Sequence, residues 1–164
     1  MSFFKPASWT LCLAASAALL CANAQAQKPT TPPATAAASA PADADKQLAA
    51  KKDGAQLAAN AWLLLLDQRN WGGAYENASQ LFRNTVPIGS WMDSIPGLRT
   101  PFGALEKRAV QDVIYKTTMQ GRPDGEYITV IFESDFADKK GVQELVATMR
   151  EADGAWRVLG YAPR

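Results

Sequence analysis

Apolar and polar positions divide the chain into a helical first half and a strand-forming second half. From Lys46 to Gln68, apolar residues recur at spacings of three and four, which predicts a long amphipathic first helix. A second, short helix is predicted where Tyr75, Ala78 and Phe82 share one face. A third begins at Pro87, which suits a first helical turn, and ends at Pro96-Gly97.

After Gly103 the pattern changes to the alternation of β-branched and aromatic residues that is typical of strands. Four strands are predicted: Val113–Met119, Tyr127–Phe132, Glu144–Arg150 and Trp156–Tyr161. Turns are predicted between them at Arg122–Gly125, Asp138–Gly141 and Asp153-Gly154. The second of these is apolar on both faces, which indicates an interior position in the sheet. The expected fold class is α+β, with N-terminal helices packed on a curved, cone-like, four-stranded antiparallel sheet.

The N-terminal segment is predicted to be a signal peptide covering residues 1–26. A charge-free run from Trp9 to Cys21 is too short to span a membrane and is followed by small residues, with cleavage expected near Ala26 or, alternatively, after Ala24. The expected location is periplasmic or secreted. Residues 27–45 are rich in Pro, Ala and Thr and are expected to be a disordered linker, which leaves one domain over 46–164.

Composition excludes several kinds of chemistry. The chain has no His, and its two Cys lie in the predicted signal peptide, so no zinc site, histidine base or thiolate nucleophile is expected in the domain. No cofactor is expected. The 17 basic and 16 acidic residues are balanced, which argues against nucleic acid as a partner.

Five aromatic residues are candidates for the wall of a ligand pocket under a curled sheet: Tyr75, Trp91, Tyr115, Tyr127 and Trp156. Aromatic residues at such spacings more often form an ordinary core in a small domain.

Four charged residues stand beside apolar faces and form a second candidate group. A carboxylate paired with arginine could bind an anion or hold the structure together, and pairing of Asp67, Arg99, Arg108 and Glu144 is the favoured interpretation. Arg99 and Arg108 are also candidate ligand-binding residues. Glu144 could instead face solvent beside Arg150.

The chain resembles a bacterial family, domain-of-unknown-function family 4019. The resemblance rests on the order of several short segments between Gln56 and Tyr161: Ala61-Trp62-Leu63, Leu66-Asp67, Arg99–Gly103, Arg108, Gly121–Tyr127, Phe136, Glu144 and Asp153–Tyr161. It implies an exported α+β domain related to the cystatin-like or nuclear-transport-factor-like folds and brings no known activity.

Three functional classes remain open at this point. The first is a noncatalytic periplasmic module that binds an unknown small ligand or protein. The second is a small enzyme that would use carboxylate and tyrosine groups for acid-base chemistry in an enclosed pocket, although no catalytic residue is assigned. The third is an envelope structural protein that forms a homodimer through its sheet. No membrane span is expected.

Overall fold

The structure is a computed structural model and describes residues 41–164. Its elements in chain order are α1 (Pro41–Asp67), α2 (Trp71–Glu76), α3 (Gln80–Thr85), α4 (Ile88–Arg99), a 3-10 turn (Thr100–Phe102), β1 (Leu105–Lys116), β2 (Tyr127–Phe136), β3 (Val142–Arg150) and β4 (Trp156–Pro163). The predicted α+β class is confirmed, and the sheet is open. The predicted signal peptide and residues 27–40 of the predicted linker lie outside the described residues.

The first helix ends close to its predicted end but begins earlier, at Pro41 instead of Lys46. The last five residues assigned to the linker, 41–45, are therefore helical. The second half of α1 packs on the sheet through Ala55, Ala59, Trp62, Leu63 and Leu66, all of them buried.

The predicted second helix is wrong as a single element, because the chain breaks at Asn77–Ser79 into α2 and α3. Ala78 forms a bridge with Val158 of β4, and the Ser79 amide donates to the Val158 carbonyl at 2.7 Å. The Ser79 side chain then caps α3 by accepting from the Phe82 amide. A tertiary backbone contact thus overrides the helical spacing of Tyr75, Ala78 and Phe82.

The third helix does not stop at Pro96-Gly97 as predicted, because α4 continues through both residues to Arg99. Pro96 lies in the last turn, where its carbonyl still accepts from the Thr100 amide. The extra residues place Arg99 inside the protein, 4% exposed. The longer helix thus brings Arg99 to the carboxylates of Asp67 and Glu144.

The sheet is an antiparallel meander in the order β1-β2-β3-β4, and the predicted interior position of the apolar strand β2 is confirmed. β1 begins at Leu105 instead of Val113 and ends at Lys116 instead of Met119, and β2 ends at Phe136 instead of Phe132. β3 begins at Val142, slightly before the predicted Glu144, and β4 begins at the predicted Trp156. The helices cover the face that carries Phe132, Ser134, Glu144, Val146 and Thr148, all fully buried.

On β3, the apolar residues that alternate in the sequence do not form the buried face of the strand. Leu145, Ala147 and Met149 lie on the face away from α1 and are partly exposed, whereas Glu144 is fully buried under the helices. The interpretation that Glu144 faces solvent beside Arg150 is therefore wrong. A register fixed by β2 decides the direction of each side chain, since a shift of one residue exchanges the faces.

Among residues 41–164, no helix has both the length and the continuous apolar character needed to cross a bilayer.

Candidate functional site

Two features of the domain are candidates for a functional site, and the first is a buried charged cluster. It consists of Asp67 at the end of α1, Arg99 at the end of α4, Arg108 on β1 and Glu144 on β3. Arg108 contacts Asp67 at 2.8 Å through Nη1 and Glu144 at 2.8 Å through Nη2. Arg99 donates to the other carboxylate oxygen of Asp67. Two arginines and two carboxylates thus balance in charge.

Two hydroxyl groups complete the cluster. Ser134 donates to Glu144 Oε2 at 2.5 Å, and Tyr161 donates to Glu144 Oε1 at 2.7 Å. Burial, followed by the charge of Glu144, raises the pKa of Tyr161 far above its usual range. Burial acts to lower the pKa of Arg108, but hydrogen bonding to Asp67 and the charges of both carboxylates outweigh it and raise the pKa.

Arg99 is the least satisfied member of the cluster. Its Nη1 lies 3.7 Å from Glu144, and its buried Nε and Nη1 have no hydrogen-bond partner within the part of the chain that the structure describes. The guanidinium instead stacks near Phe136, 4.2 Å from the ring centre, and Phe102, at 5.7 Å. Such stacking suits the planar, weakly hydrated arginine head group.

The charged cluster has almost no free space. A recess beside Asp67 and Arg99 offers about 10 Å³, which is room for one water molecule at most. The acid-base alternative calls for a tyrosine and a carboxylate in a cavity that admits a substrate. Tyr161 and Glu144 do meet, but they meet in a filled interior, so the favoured structural interpretation of this cluster fits the geometry.

The seven ligand-binding candidates do not line one pocket. Arg99 and Arg108 belong to the charged cluster. Trp91 lies in the core against Trp62 and Phe82, and its indole donates to the Trp71 carbonyl.

The three tyrosine candidates lie at three separate positions in the fold, and each makes a hydrogen bond there. Tyr75 donates to the Val86 carbonyl at 2.8 Å. Tyr127 is buried under its own hairpin loop and donates to the Pro123 carbonyl. Tyr115 donates to Glu126 at 3.0 Å, beside Lys51.

Trp156 is the candidate that borders open space. A groove of about 450 Å³ runs between α1 and β4, and we call it the α1–β4 groove. Its lining is mostly apolar: Ala58, Ala61, Trp62, Leu65, Asn77, Ala155, Trp156, Arg157 and Val158. A second recess of about 420 Å³ adjoins Trp156 toward the start of α1. The lining of the α1–β4 groove, within residues 41–164, contains neither a carboxylate nor a tyrosine, and the groove is open to solvent.

The second candidate feature is the outward face of α1, formed by Leu57, Ala61 and Leu64. Leu57 is 72% exposed and Leu64 is 53% exposed. No charged residue occurs between Asp53 and Asp67, a stretch in which only Gln56 and Asn60 are polar. Helices that are apolar on all sides are normally buried on all sides.

Sequence reasoning misses part of both features. It does not assign Ser134 and Tyr161 to the charged cluster. Both hydroxyl groups donate to Glu144, and no local sequence pattern indicates this because the register of the sheet brings these residues together. The outward face of α1 does carry a signal, namely the charge-free stretch that follows Asp53. Within residues 41–164, no three His, Cys, Asp or Glu side chains are grouped to hold a metal ion.

Comparison with known proteins assigns this domain to a family. The chain belongs to the family described as "Protein of unknown function (DUF4019)", whose model matches residues 58–161. No curated protein and no solved structure matches the chain. A relation to the cystatin-like or nuclear-transport-factor-like folds therefore stays a prediction.

Proposed function

We propose that this domain is a noncatalytic protein-binding module of the cell envelope that engages its partner through α1. The contact surface comprises the outward face of α1 and the neighbouring α1–β4 groove. One observation carries the proposal: Leu57 and Leu64 are exposed on a helix that has no charged residue between Asp53 and Asp67. Exposed apolar surface of this kind is typical of interaction sites.

The shape of the surface favours a protein over a small molecule. Small-molecule sites enclose most of the ligand surface, whereas the α1–β4 groove is open along one side. The partly exposed Trp156 lines the groove, and aromatic side chains are enriched at protein interfaces. Asn77 and Arg157 give the groove a polar margin.

Position-specific photo-crosslinking in the native host tests this proposal. A benzoylphenylalanine at Leu64 of the full chain is expected to give one adduct of fixed mass that saturates as the chain is expressed more strongly. Ala61→Arg should abolish the adduct because it places a charge in the contact surface. Ala49→Arg is the matched control, since Ala49 is exposed on the same helix outside the groove lining.

Two results would contradict the proposal. One is the absence of any adduct from Leu64, and the other is an adduct that forms equally well from Gln111, an exposed position on β1.

A further inference from the structure

The recess that adjoins Trp156 toward the start of α1 continues the α1–β4 groove. It has a volume of about 420 Å³, and we call it the cationic recess because Lys51 and Arg150 line it. Trp156 lines both the recess and the groove. On α1, the two linings follow each other at spacings of four and three residues, through Gln47, Lys51, Gly54, Ala58, Ala61 and Leu65. The recess and the groove therefore form one trough along a single face of α1.

Gly54 lies where Trp156 meets α1, between the two halves of the trough. A glycine inside a helix is less favourable than alanine by about 1 kcal/mol. A Cβ at this position would come within 3.1 Å of Trp156 Cδ1 and 3.4 Å of its Nε1, which is tighter than normal packing. Glycine thus lets the partly exposed indole lie directly against the helix, at the junction of the groove and the recess.

The two halves of the trough differ in charge. In the groove, Arg157 is neutralised by two carboxylates, each at 2.7 Å. In the recess, Lys51 and Arg150 share the single carboxylate of Glu126, which leaves one positive charge in excess. Within residues 41–164, no carboxylate lines the recess itself.

The groups of the recess keep their charges and retain donors for a ligand. The hydrogen bond between Lys51 and Glu126 raises the pKa of the amine and lowers the pKa of the carboxyl to about 2, so both are ionised at neutral pH. Arg150 donates from Nε to the Gly154 carbonyl and from Nη1 to Glu126, whereas its Nη2 donates to no group of residues 41–164. The recess therefore suits a carboxylate, which accepts hydrogen bonds from both cations.

We propose that the trough binds a peptide segment of the partner whose apolar residues lie in the α1–β4 groove and whose carboxylate pairs with Lys51 and Arg150. The inference rests on the proposed function, because it states the chemistry of the partner that occupies that surface. Charge complementarity supports it, since a carboxylate balances the excess charge of the recess. From Gln47 to Leu65 the trough follows α1 for about 27 Å, the length of about eight extended residues.

Photo-crosslinking from both ends of the trough tests the proposal in the native host. Benzoylphenylalanine at Gln47 of the full chain, at the recess end, should capture the same protein as benzoylphenylalanine at Leu64. Mass spectrometry of the Gln47 adduct should place the crosslink on a segment that contains Asp or Glu, or on the C-terminus of the partner. An internal acidic segment and a terminal peptide distinguish the two sources of the carboxylate.

Charge substitutions at Lys51 provide the quantitative measurement. At subsaturating expression, Lys51→Gln should reduce the Leu64 adduct at least about threefold, the effect of losing one partly exposed ion pair. Lys51→Arg keeps the positive charge and should keep the adduct. Lys52→Gln is the matched control, because Lys52 is the adjacent lysine on α1 and lies outside the lining of the trough.

The outcomes separate this inference from the proposed function. A Leu64 adduct that is unchanged in Lys51→Gln, or reduced equally in Lys52→Gln or Lys51→Arg, overturns the acidic-segment proposal and leaves the binding function standing. A Gln47 crosslink to a lipid or to a segment without a carboxylate does the same. The absence of any adduct from Leu64 overturns both proposals.

Discussion

At the residue scale, the charged cluster shows how a small interior accommodates four ionised groups. Each carboxylate contacts both arginines, and Glu144 also accepts hydrogen bonds from Ser134 and Tyr161. Pairing of opposite charges makes the burial of such groups tolerable, because an isolated charge in the interior is very unfavourable. The cluster joins α1, α4, β1 and β3 at one point.

Glu144→Gln should lower the free energy of unfolding by about 3–5 kcal/mol, because it leaves an uncompensated positive charge among buried groups. Chemical denaturation measures the change. Glu133→Gln on the exposed face of β2 is the control and should change stability by less than about 0.5 kcal/mol. Equal effects of the two substitutions would show that the cluster does not stabilise the fold.

A second prediction concerns acid stability and Glu126. The hydrogen bond from Lys51, together with those from Arg150 and Tyr115, lowers the pKa of Glu126 from 4.5 to about 2. Because the pKa is lower in the folded state, the stabilisation is present above pH about 4.5 and is lost as the pH falls toward 2. Denaturant midpoints measured across this range should fall less steeply in Glu126→Gln than in the wild type. Parallel curves would contradict the prediction.

At the element scale, the ends of the helices and the connections between elements determine where the residues of the charged cluster lie. Gly103 links the 3-10 turn to β1 with φ 79° and ψ −161°, a conformation that is practically restricted to glycine. A Cβ at this position would clash with Asp138 Oδ2 and come within 3.2 Å of Ala137 Cβ. The connection thereby fixes the path from Arg99 on α4 to Arg108 on β1.

Gly103→Ala should therefore destabilise the domain by about 1–3 kcal/mol through backbone strain and crowding. Gly121→Ala is the matched comparison, because Gly121 also has a positive φ of 71° but an added Cβ there would meet no atom of residues 41–164 within 4 Å. Thermal unfolding of both variants should show the larger loss for Gly103→Ala. A larger loss for Gly121→Ala would contradict the prediction, because it would mean that Asp138 and Ala137 move aside for the added Cβ at little cost.

At the scale of the whole molecule, the helices and the sheet share one main core, yet α1 presents apolar residues on two sides. The inner side contributes Ala55, Ala59 and Leu63 to that core. The outer side leaves Leu57 and Leu64 in solvent. Any contact that covers the outer side links folding to association, because a partner that binds only the folded chain stabilises it.

Leu57→Glu should change the free energy of unfolding by no more than about 0.5 kcal/mol, since Leu57 is 72% exposed and makes little contact within the domain. Chemical denaturation provides the measurement. A loss of more than about 1 kcal/mol would contradict the prediction, because it would mean that Leu57 packs within the domain.

By itself, the sequence determined the α+β class, the long first helix, the meander of four strands and the interior position of β2, because these depend on local periodicity and turn chemistry. It also indicated that Asp67, Arg99, Arg108 and Glu144 would pair. Only the tertiary structure decided the break at Ala78, the continuation of α4 through Pro96 and the burial of Glu144. These features arise from contacts between residues far apart in the chain: Ala78 with Val158, Arg99 with Asp67, and Glu144 with Arg108. Local patterns carry no information on such pairs, since sheet register and packing select them.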